Sequence, residues 1–263
     1  MHCLFQKKYV NFFLAAVFLL PAVVAFGKEG GRDYYQIKIY HLATKAQEDR
    51  LDAYLQNAYL PAMHRAGVPG VGVFKAIDKD SEQLVYVFAP YKSWKQFEGI
   101  DAKLAADKQY QADGSDYINA PYNNIPYRRY ESIILKAFKE APAPFVPQLS
   151  APKSERVYEL RSYEGPTEKL YENKVQMFNK GNEVGLFKRL GFNAVFYAEV
   201  VSGSHMPNLM YMTTFNNKAD RDKHWDAFNN DAEWKALVVK PEYQHNVSKA
   251  DIKFLRPADY SDF

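Results

Sequence analysis

Hydrophobic and polar positions alternate in short segments along the first half of the chain and recur at helical spacing between them. Residues 35–40 alternate, which is typical of a strand. Thr44 and Gln47 form a capping-box pattern ahead of an apolar stripe that includes Leu51 and Leu55, which predicts a helix. The predicted elements are a strand at 35–40, a helix at 45–65, strands at 71–77 and 84–88, a helix after Ser93, a short turn after Asp107, a loop at 111–127 and a strand at 129–138.

The second half of the chain repeats this order of elements. Pro166 and Thr167 open a long helical pattern, and residues 202–207 have the composition of a loop between strands. The predicted elements are a strand at 157–163, a helix from 167 to about 190, strands at 193–201 and 209–215, helices at 219–229 and 231–238, and a strand at 251–255. Each half therefore has the order β-α-β-β-α-β.

Matching residues in the two halves lie at a nearly constant offset. Residues 35–40 align with 158–163, 65–67 with 189–191, 84–86 with 209–211 and 104–110 with 228–234, at offsets of 123, 124, 125 and 124. A proline-rich segment lies between the copies, and proline favours an extended connector. We expect domains at 32–140 and 155–263, joined by a linker at 141–154.

Elements in this order form a four-stranded antiparallel sheet with helices on one face, the ferredoxin-like arrangement. The other face of such a sheet needs a partner, and a second copy in the same chain supplies one. The predicted fold class is α+β, with two tandem ferredoxin-like domains packed as an intramolecular dimeric α/β barrel. We expect the two sheets to lie face to face around a shared interior.

The N-terminus resembles a secretory signal peptide. Lys7 and Lys8 precede an uncharged run at 9–27, which Pro21 interrupts and small residues end. We expect cleavage after residue 27, a secreted or periplasmic protein, and no membrane contact once the signal peptide is removed. The alternative is an uncleaved anchor, because the run is just long enough to span a bilayer.

Composition and charge narrow the function classes. Apolar residues make up 47% of the 263 positions, enough for one large core or two smaller ones. The formal charge is +3 and is spread along the chain, so we expect no nucleic-acid partner. Cys3 is the one cysteine, which excludes an internal disulfide and a multi-cysteine zinc site.

Several short motifs of the second copy resemble the NIPSNAP family. They are the strand at 157–163, the segment at 189–192, and residues 218–221 leading to 231–234. The first copy matches more loosely, since Lys38 stands in place of Arg161 and Gln36 in place of Glu159. The resemblance implies a fold similar to dimeric α/β barrel proteins, some of which are cofactor-free monooxygenases or haem-handling enzymes. It implies no settled activity.

The strand at 157–163 suggests a binding site. Side chains alternate across a strand, and we expect Leu160 to lie under the helices. The polar side chains would then face the second sheet, in a pocket that could bind an acidic or carbonyl-bearing small molecule. The alternative is an ion pair that fixes the docking of the two domains. The candidate ligand-binding residues are Glu159, Arg161, Tyr163, Lys38, Tyr40 and, at the mouth of the pocket, His41.

No motif in the sequence identifies a catalytic residue, a metal site or a cofactor. The histidines lack metal-ligand spacing, no residue is marked as a haem ligand, and no nucleophile motif is present. We expect Trp94, Trp225 and Trp234 in the core. The leading interpretation is a protein that binds a small molecule or a protein partner. The alternatives are a cofactor-independent monooxygenase or haem-handling enzyme, and an interaction role for the loop at 111–127. A further homo-oligomer stays open.

Overall fold

The computed structural model describes residues 31–78 and 82–263. The predicted signal peptide, residues 1–27, lies outside these described residues. Within them, no helix combines the length and the apolar character that crossing a bilayer requires.

The first half folds into four strands and a set of mostly short helices. The strands are β1 (Tyr34–Leu42), β2 (Gly72–Ala76), β3 (Gln83–Tyr91) and β4 (Arg129–Ala137). The helices are α1 (Lys45–Tyr54), α2 (Leu60–Arg65), α3 (Trp94–Glu98), α4 (Ile100–Ala106), α5 (Lys108–Asp113) and α6 (Ser115–Ile118), and a π-helical turn at Leu55–Tyr59 joins α1 to α2. The prediction of a loop over 111–127 was wrong in its first part, where α5 and α6 lie.

The second half repeats the order strand, helices, two strands, helices, strand. The strands are β5 (Val157–Glu164), β6 (Asn193–Ser202), β7 (Asn208–Phe215) and β8 (Lys249–Pro257). The helices are α7 (Glu168–Asn179), α8 (Glu183–Arg189), α9 (Lys218–Asn230) and α10 (Ala232–Val238), followed by a 3₁₀ turn at Pro241–Tyr243. The single helix predicted from 167 to 190 is two helices, because Asn182 has left-handed backbone geometry (φ 65°).

All eight of these strands join in one closed antiparallel barrel, in the order β1-β3-β2-β8-β5-β7-β6-β4. Each half contributes four neighbouring strands, and the halves meet where β2 pairs with β8 and β4 pairs with β6. The two sheets expected face to face around a shared interior are therefore continuous parts of one barrel. Pairing at both edges turns them into a single barrel with no unpaired edge between the halves.

The barrel interior is apolar and is built by both halves. Side chains from all eight strands meet there, among them Tyr35, Phe74, Phe88, Tyr158 and Phe196. The rings of Phe88 and Phe196 stack across the two halves at 5.0 Å between centroids. The helices of each half cover the outer face of their own strands and form two further cores.

Local features repeat between the halves at the offset found in the sequence. Gly67 and Gly191 both have positive φ, 89° and 77°, and each ends a helix in the left-handed geometry that glycine adopts readily. Asp107 and Asp231 cap α5 and α10, and each pairs with an arginine, Arg65 at 2.7 Å and Arg189 at 2.8 Å.

The prediction that all three tryptophans are buried in the core was wrong for one of them. Trp225 is 9% exposed, and Trp234 packs at the edge of the second helical core. Trp94 is 46% exposed, because its position at the start of the short helix α3 leaves its ring edge-on to Tyr34 at the surface.

Candidate functional site

Glu159 and Arg161 lie on the outer face of β5, under the helices, and the prediction that they face the other half was wrong. Their neighbours Tyr158 and Leu160 point into the barrel instead. Alternation along the strand is therefore as predicted, but the two faces are exchanged. Tyr158 and Leu160 face the barrel interior because strands of both halves enclose it with apolar side chains. The helix layer supplies a charged partner for Glu159, the guanidinium of Arg221.

Glu159 is fully buried and accepts four hydrogen bonds. Its Oε1 accepts from Arg161 Nε at 2.7 Å and from Arg221 Nη2 at 2.9 Å. Its Oε2 accepts from Arg221 Nε at 2.8 Å and from the indole Nε1 of Trp225 at 2.9 Å. Arg221 and Trp225 belong to α9, so the Glu159 carboxylate fixes this helix to β5.

The neighbouring charges keep both Glu159 and Arg161 ionised. Burial alone would raise the pKa of the Glu159 carboxyl, but the hydrogen bonds and charges of Arg221 and Arg161 outweigh it and lower the pKa. Burial would likewise lower the pKa of Arg161, and the nearby Tyr211, Tyr163 and Glu159 raise it above its usual value. Glu159 is therefore held as a carboxylate between two guanidinium groups.

A line of hydrogen bonds runs from this cluster to two tyrosines. Arg161 Nη1 donates to the Tyr163 hydroxyl at 2.8 Å, and this hydroxyl lies 2.9 Å from that of Tyr211. Burial raises the pKa of Tyr211 well above 10. The guanidinium of Arg161 also lies 3.7 Å from the ring centre of Trp225, in cation–π contact.

A second buried ion pair, Lys174 with Glu183, lies beside the first. Lys174 Nζ donates to Glu183 Oε2 at 2.9 Å, and both side chains are almost fully buried. Burial raises the pKa of Glu183, and the charge of Lys174 opposes this. Lys174 Nζ also lies 4.7 Å from the ring centre of Phe178.

These groups line a cavity of about 450 Å³ between β5, β7 and the helices, here called the helix-side pocket. Its lining includes three cationic side chains and one acidic side chain, Glu183. Aromatic rings form much of its wall. The lining residues are Arg161, Tyr163, Lys174, Glu183, Tyr211, Arg221, Trp225, Phe228, Asn229, Trp234, Val247 and Ala250.

The corresponding positions of the first half lie far from this pocket, under the first half's own helices. Lys38 Nζ lies over the rings of Tyr59 and Tyr130, at 5.7 and 5.8 Å, and burial lowers its pKa. Tyr40 is buried in the first helical core and lies 5.5 Å from the ring of Tyr127. The predicted grouping of Lys38 and Tyr40 with the Glu159 cluster was therefore wrong.

Tyrosine side chains fill the space of the first half that corresponds to the helix-side pocket. Tyr54 stacks on Tyr117 at 3.7 Å between ring centres, and its hydroxyl lies 2.7 Å from that of Tyr110. The two halves share a backbone arrangement but differ in what lies under the helices, aromatic packing in the first and a charged cavity in the second.

His41 lies at one end of the barrel, away from both helix layers. Its Nδ1 is 2.9 Å from Glu82 Oε2 and its Nε2 is 2.8 Å from Glu131 Oε1. Burial would lower the pKa of His41, but the two carboxylates outweigh it and raise the pKa. His41 therefore forms a local ion-pair cluster rather than a group with Glu159.

A small cavity does open between the two halves at the barrel mouth. Its volume is about 200 Å³, and its lining combines apolar side chains such as Ile133 and Leu160 with charged ones, Glu131, Asp251 and Lys253. Rings from both halves occupy the interior beyond it. The pocket expected between the sheets is thus much smaller than the helix-side pocket. Across the described residues, no three histidine, cysteine, aspartate or glutamate side chains converge as metal ligands would.

Sequence analysis missed most of the residues that complete the helix-side pocket. Arg221 belongs to a motif that was noted for its resemblance, but not as a partner of Glu159. Lys174 and Glu183 are nine residues apart, which gives no periodic signal. Trp225 was assigned to the core, and its indole nitrogen, which bonds Glu159, has no signature in sequence.

Comparison with known families supports the resemblance inferred from the motifs. Residues 158–262 match the NIPSNAP family model, so the resemblance to this family is confirmed over this part of the chain. No curated protein matches the chain.

Solved structures resemble the chain over most of its length. A "putative monooxygenase" from Lactobacillus acidophilus NCFM has a TM-score of 0.57 at 13% identity, covering 86% of this chain and 94% of that one. A "putative monooxygenase" from Fusobacterium nucleatum also scores 0.57, at 10% identity and coverage of 86% and 93%. An anthrone oxidase-like protein scores 0.50 at 10% identity, with coverage of 88% and 93%. At these identities the likeness concerns the fold, an α+β fold whose antiparallel sheet resembles dimeric α/β barrel proteins.

Proposed function

We propose that this chain, whose residues 158–262 match the NIPSNAP family model, binds a small planar organic anion in the helix-side pocket. The observation that carries the proposal is the lining of the cavity, where Arg161, Lys174 and Arg221 oppose a single carboxylate, Glu183. Aromatic side chains complete the wall. A flat anion could stack on these rings while its charge lies near the guanidinium groups.

The size and charge of the pocket support a ligand rather than a purely structural cluster. About 450 Å³ is within the range of small-molecule sites. Glu159 neutralises part of the charge of Arg161 and Arg221, but this carboxylate lies behind them and does not line the cavity. The guanidinium groups are thus held in place from behind by Glu159.

We also propose that both halves are copies of one ferredoxin-like domain, and that, of the two spaces under the helices, the one in the second copy stays open as a pocket. The strand order in each half and the equivalent Arg65–Asp107 and Arg189–Asp231 pairs support a common ancestry of the halves. The tyrosines under the first half's helices support one site per chain. Export through the segment at 1–27 stays part of this proposal.

The test compares two probes of nearly the same shape, one anionic and one neutral. We expect 2-naphthoate to bind the full chain and to quench tryptophan fluorescence, since Trp225 and Trp234 line the pocket. The neutral 2-naphthamide has the same rings, and its affinity, measured by isothermal titration calorimetry, should be lower by about tenfold or more. Equal affinity for the two probes would contradict an anion site.

A pocket-filling variant assigns the binding to this cavity. Val247→Trp places an indole in the helix-side pocket and should abolish binding of 2-naphthoate. The matched control is Val146→Trp, at a residue that is 70% exposed and lines a different cavity. If Val247→Trp binds as well as the control, the ligand lies elsewhere.

A cofactor-independent monooxygenase is the second candidate function. The whole-chain likeness to proteins described as monooxygenases and as anthrone oxidase-like favours it. The Arg161–Tyr163–Tyr211 line could hold the enolate oxygen of a substrate such as anthrone. Oxygen uptake with anthrone, lost in Val247→Trp and kept in Val146→Trp, would support it. The described lining of the pocket holds no histidine, cysteine or methionine, and its tyrosines, Tyr163 and Tyr211, hydrogen-bond each other, so the pocket lends no specific support to the haem-handling alternative.

A further inference from the structure

A second concave surface of this protein is strongly basic. It is a groove of about 720 Å³ where the first described residues meet the end of β3 and the end of β4. Five cationic side chains and no acidic one line it, although the formal charge of the whole chain is only +3. The lining residues of this basic groove are Gly31, Arg32, Tyr34, Lys92, Ser93, Trp94, Lys95, Lys136, Lys139 and Pro142.

Two of the five cations have acidic partners behind the groove. Arg32 pairs with Glu199, and Lys92 pairs with Asp33 at 2.9 Å while its side chain stays 73% exposed. Lys95 and Lys139 are exposed, and Lys136 Nζ lies 5.7 Å from the ring centre of Tyr34. The groove therefore presents a net positive surface over an aromatic floor.

An exposed aromatic side chain accompanies these lysines. Trp94, 46% exposed, lies in the groove against Tyr34 at 5.7 Å between ring centres. An exposed indole beside several lysines is typical of proteins that rest at the headgroup level of a bilayer, where the ring is half buried and the ammonium groups meet phosphates.

The sequence before the groove leads to a membrane. The uncharged run at 9–27 ends four residues before Gly31, which lines the groove, and four residues span at most about 14 Å. Both alternatives for this run, a signal peptide and a retained anchor, deliver the chain to a bilayer. A binding site for a soluble polyanion would require neither a membrane-directed segment next to it nor the exposed Trp94.

We propose that the basic groove docks the protein on the surface of a bilayer rich in anionic phospholipid. Lys92, Lys95, Lys136 and Lys139 contact lipid phosphates, and Trp94 lies at the level of the headgroups. This departs from the expectation that the chain makes no membrane contact after cleavage. It is independent of the helix-side pocket, which lies under the second half's helices.

The test is cosedimentation of the full chain with vesicles. One set is pure phosphatidylcholine and the other contains three parts in ten phosphatidylglycerol. The neutral vesicles report any contribution of the run at 9–27, and intact mass shows whether that run is present. We expect binding to the anionic vesicles to be about tenfold or more tighter and to weaken with added salt.

Charge reversal separates the groove from general electrostatics. Lys95→Glu with Lys139→Glu should remove the preference for anionic vesicles. The matched control, Lys108→Glu with Lys223→Glu, changes the net charge equally at exposed lysines of α5 and α9 and should keep it. Trp94→Ser should weaken binding to the anionic vesicles while leaving the fold intact.

Three results would overturn the proposal. They are equal binding to neutral and anionic vesicles, equal loss in the groove and control variants, and binding of the groove to soluble dextran sulfate without any binding to anionic vesicles. The last would identify a site for a soluble polyanion instead.

Discussion

The carboxylate of Glu159 accepts hydrogen bonds from two arginines and from an indole. Glu159 is inaccessible to solvent, and its partners Arg161, Arg221 and Trp225 come from β5 and α9. A buried charge is tolerated when opposite charges and hydrogen bonds compensate for lost hydration. Glu159 satisfies this condition, so it can hold both guanidinium groups at the wall of the helix-side pocket.

Glu159→Gln tests this role. The amide keeps the shape and some hydrogen bonds, but it leaves the buried Arg161 guanidinium without its counter-charge and Arg221 with only the exposed Asp222. We expect the free energy of unfolding, measured with urea, to fall by about 3–5 kcal/mol. Asp222→Asn is the matched control, because Asp222 bonds the same Arg221 at 3.0 Å but is exposed, and its loss should be much smaller. Similar losses in the two variants would show that the burial of Glu159 is unimportant.

The pH dependence of this difference has a defined sign. The pKa of Glu159 is lower in the folded protein than its ordinary value of about 4.3. Its contribution is therefore fully present above the ordinary value and is lost as pH falls through the lower, folded value. The gap between wild type and Glu159→Gln should be constant from pH 7 to about 5 and shrink below about 4. A gap that widens in acid would contradict the assignment.

The alternation of side chains along β5 could be predicted from the sequence, but the choice of face could not. Polar Glu159 and Arg161 and apolar Tyr158 and Leu160 fall on opposite faces in either case. The correct choice depends on partners 62 and 66 residues away on α9, which alternation does not encode. The helix caps were predictable, because Thr44, Ser93 and Asp107 act within three residues of themselves.

At the scale of elements, a break between two helices builds part of the pocket. Lys174 on α7 and Glu183 on α8 are nine residues apart, which is two and a half turns of an unbroken helix and places them on opposite faces. The turn at Gly181 and Asn182 changes the direction of the chain and brings the two charges to 2.9 Å. A continuous helix over 167–190, as predicted, could not form this pair.

Asn182 is the residue on which this break depends. Asn182→Ala should lower the free energy of unfolding by about 1–2 kcal/mol, because alanine is strained at φ 65°, a conformation that asparagine tolerates better through its short polar side chain. Asn182→Gly removes the same amide, which bonds Glu233 at 3.0 Å, but adopts this φ freely. It should therefore be more stable than the alanine variant in urea unfolding. An alanine variant as stable as the glycine variant would show that the left-handed turn is not required.

At the scale of the whole molecule, each half closes the other. β2 and β6 occupy equivalent positions in their halves, as do β4 and β8, and the barrel closes through the β2–β8 and β4–β6 pairs. The repeat in sequence predicts two similar units that share an interior. It does not specify which strands pair where the halves meet, since edge pairing depends on how the two curved sheets approach each other.

This equivalence predicts the behaviour of the second half alone. A chain of residues 155–263 exposes the edges of β6 and β8 and the apolar face that carries Tyr158 and Leu160. Because β6 corresponds to β2 and β8 to β4, two copies can pair β6 with the partner's β8 twice and close the same barrel as a symmetric dimer. We expect a dimer by light scattering, with the amides of β6 and β8 protected from hydrogen exchange. A stable monomer would show that the interior is not shared. A dimer in which the amides of β6 and β8 exchange freely would show that the two copies assemble through another surface. Association itself is expected, because a monomer would leave both strand edges and the apolar face open to water.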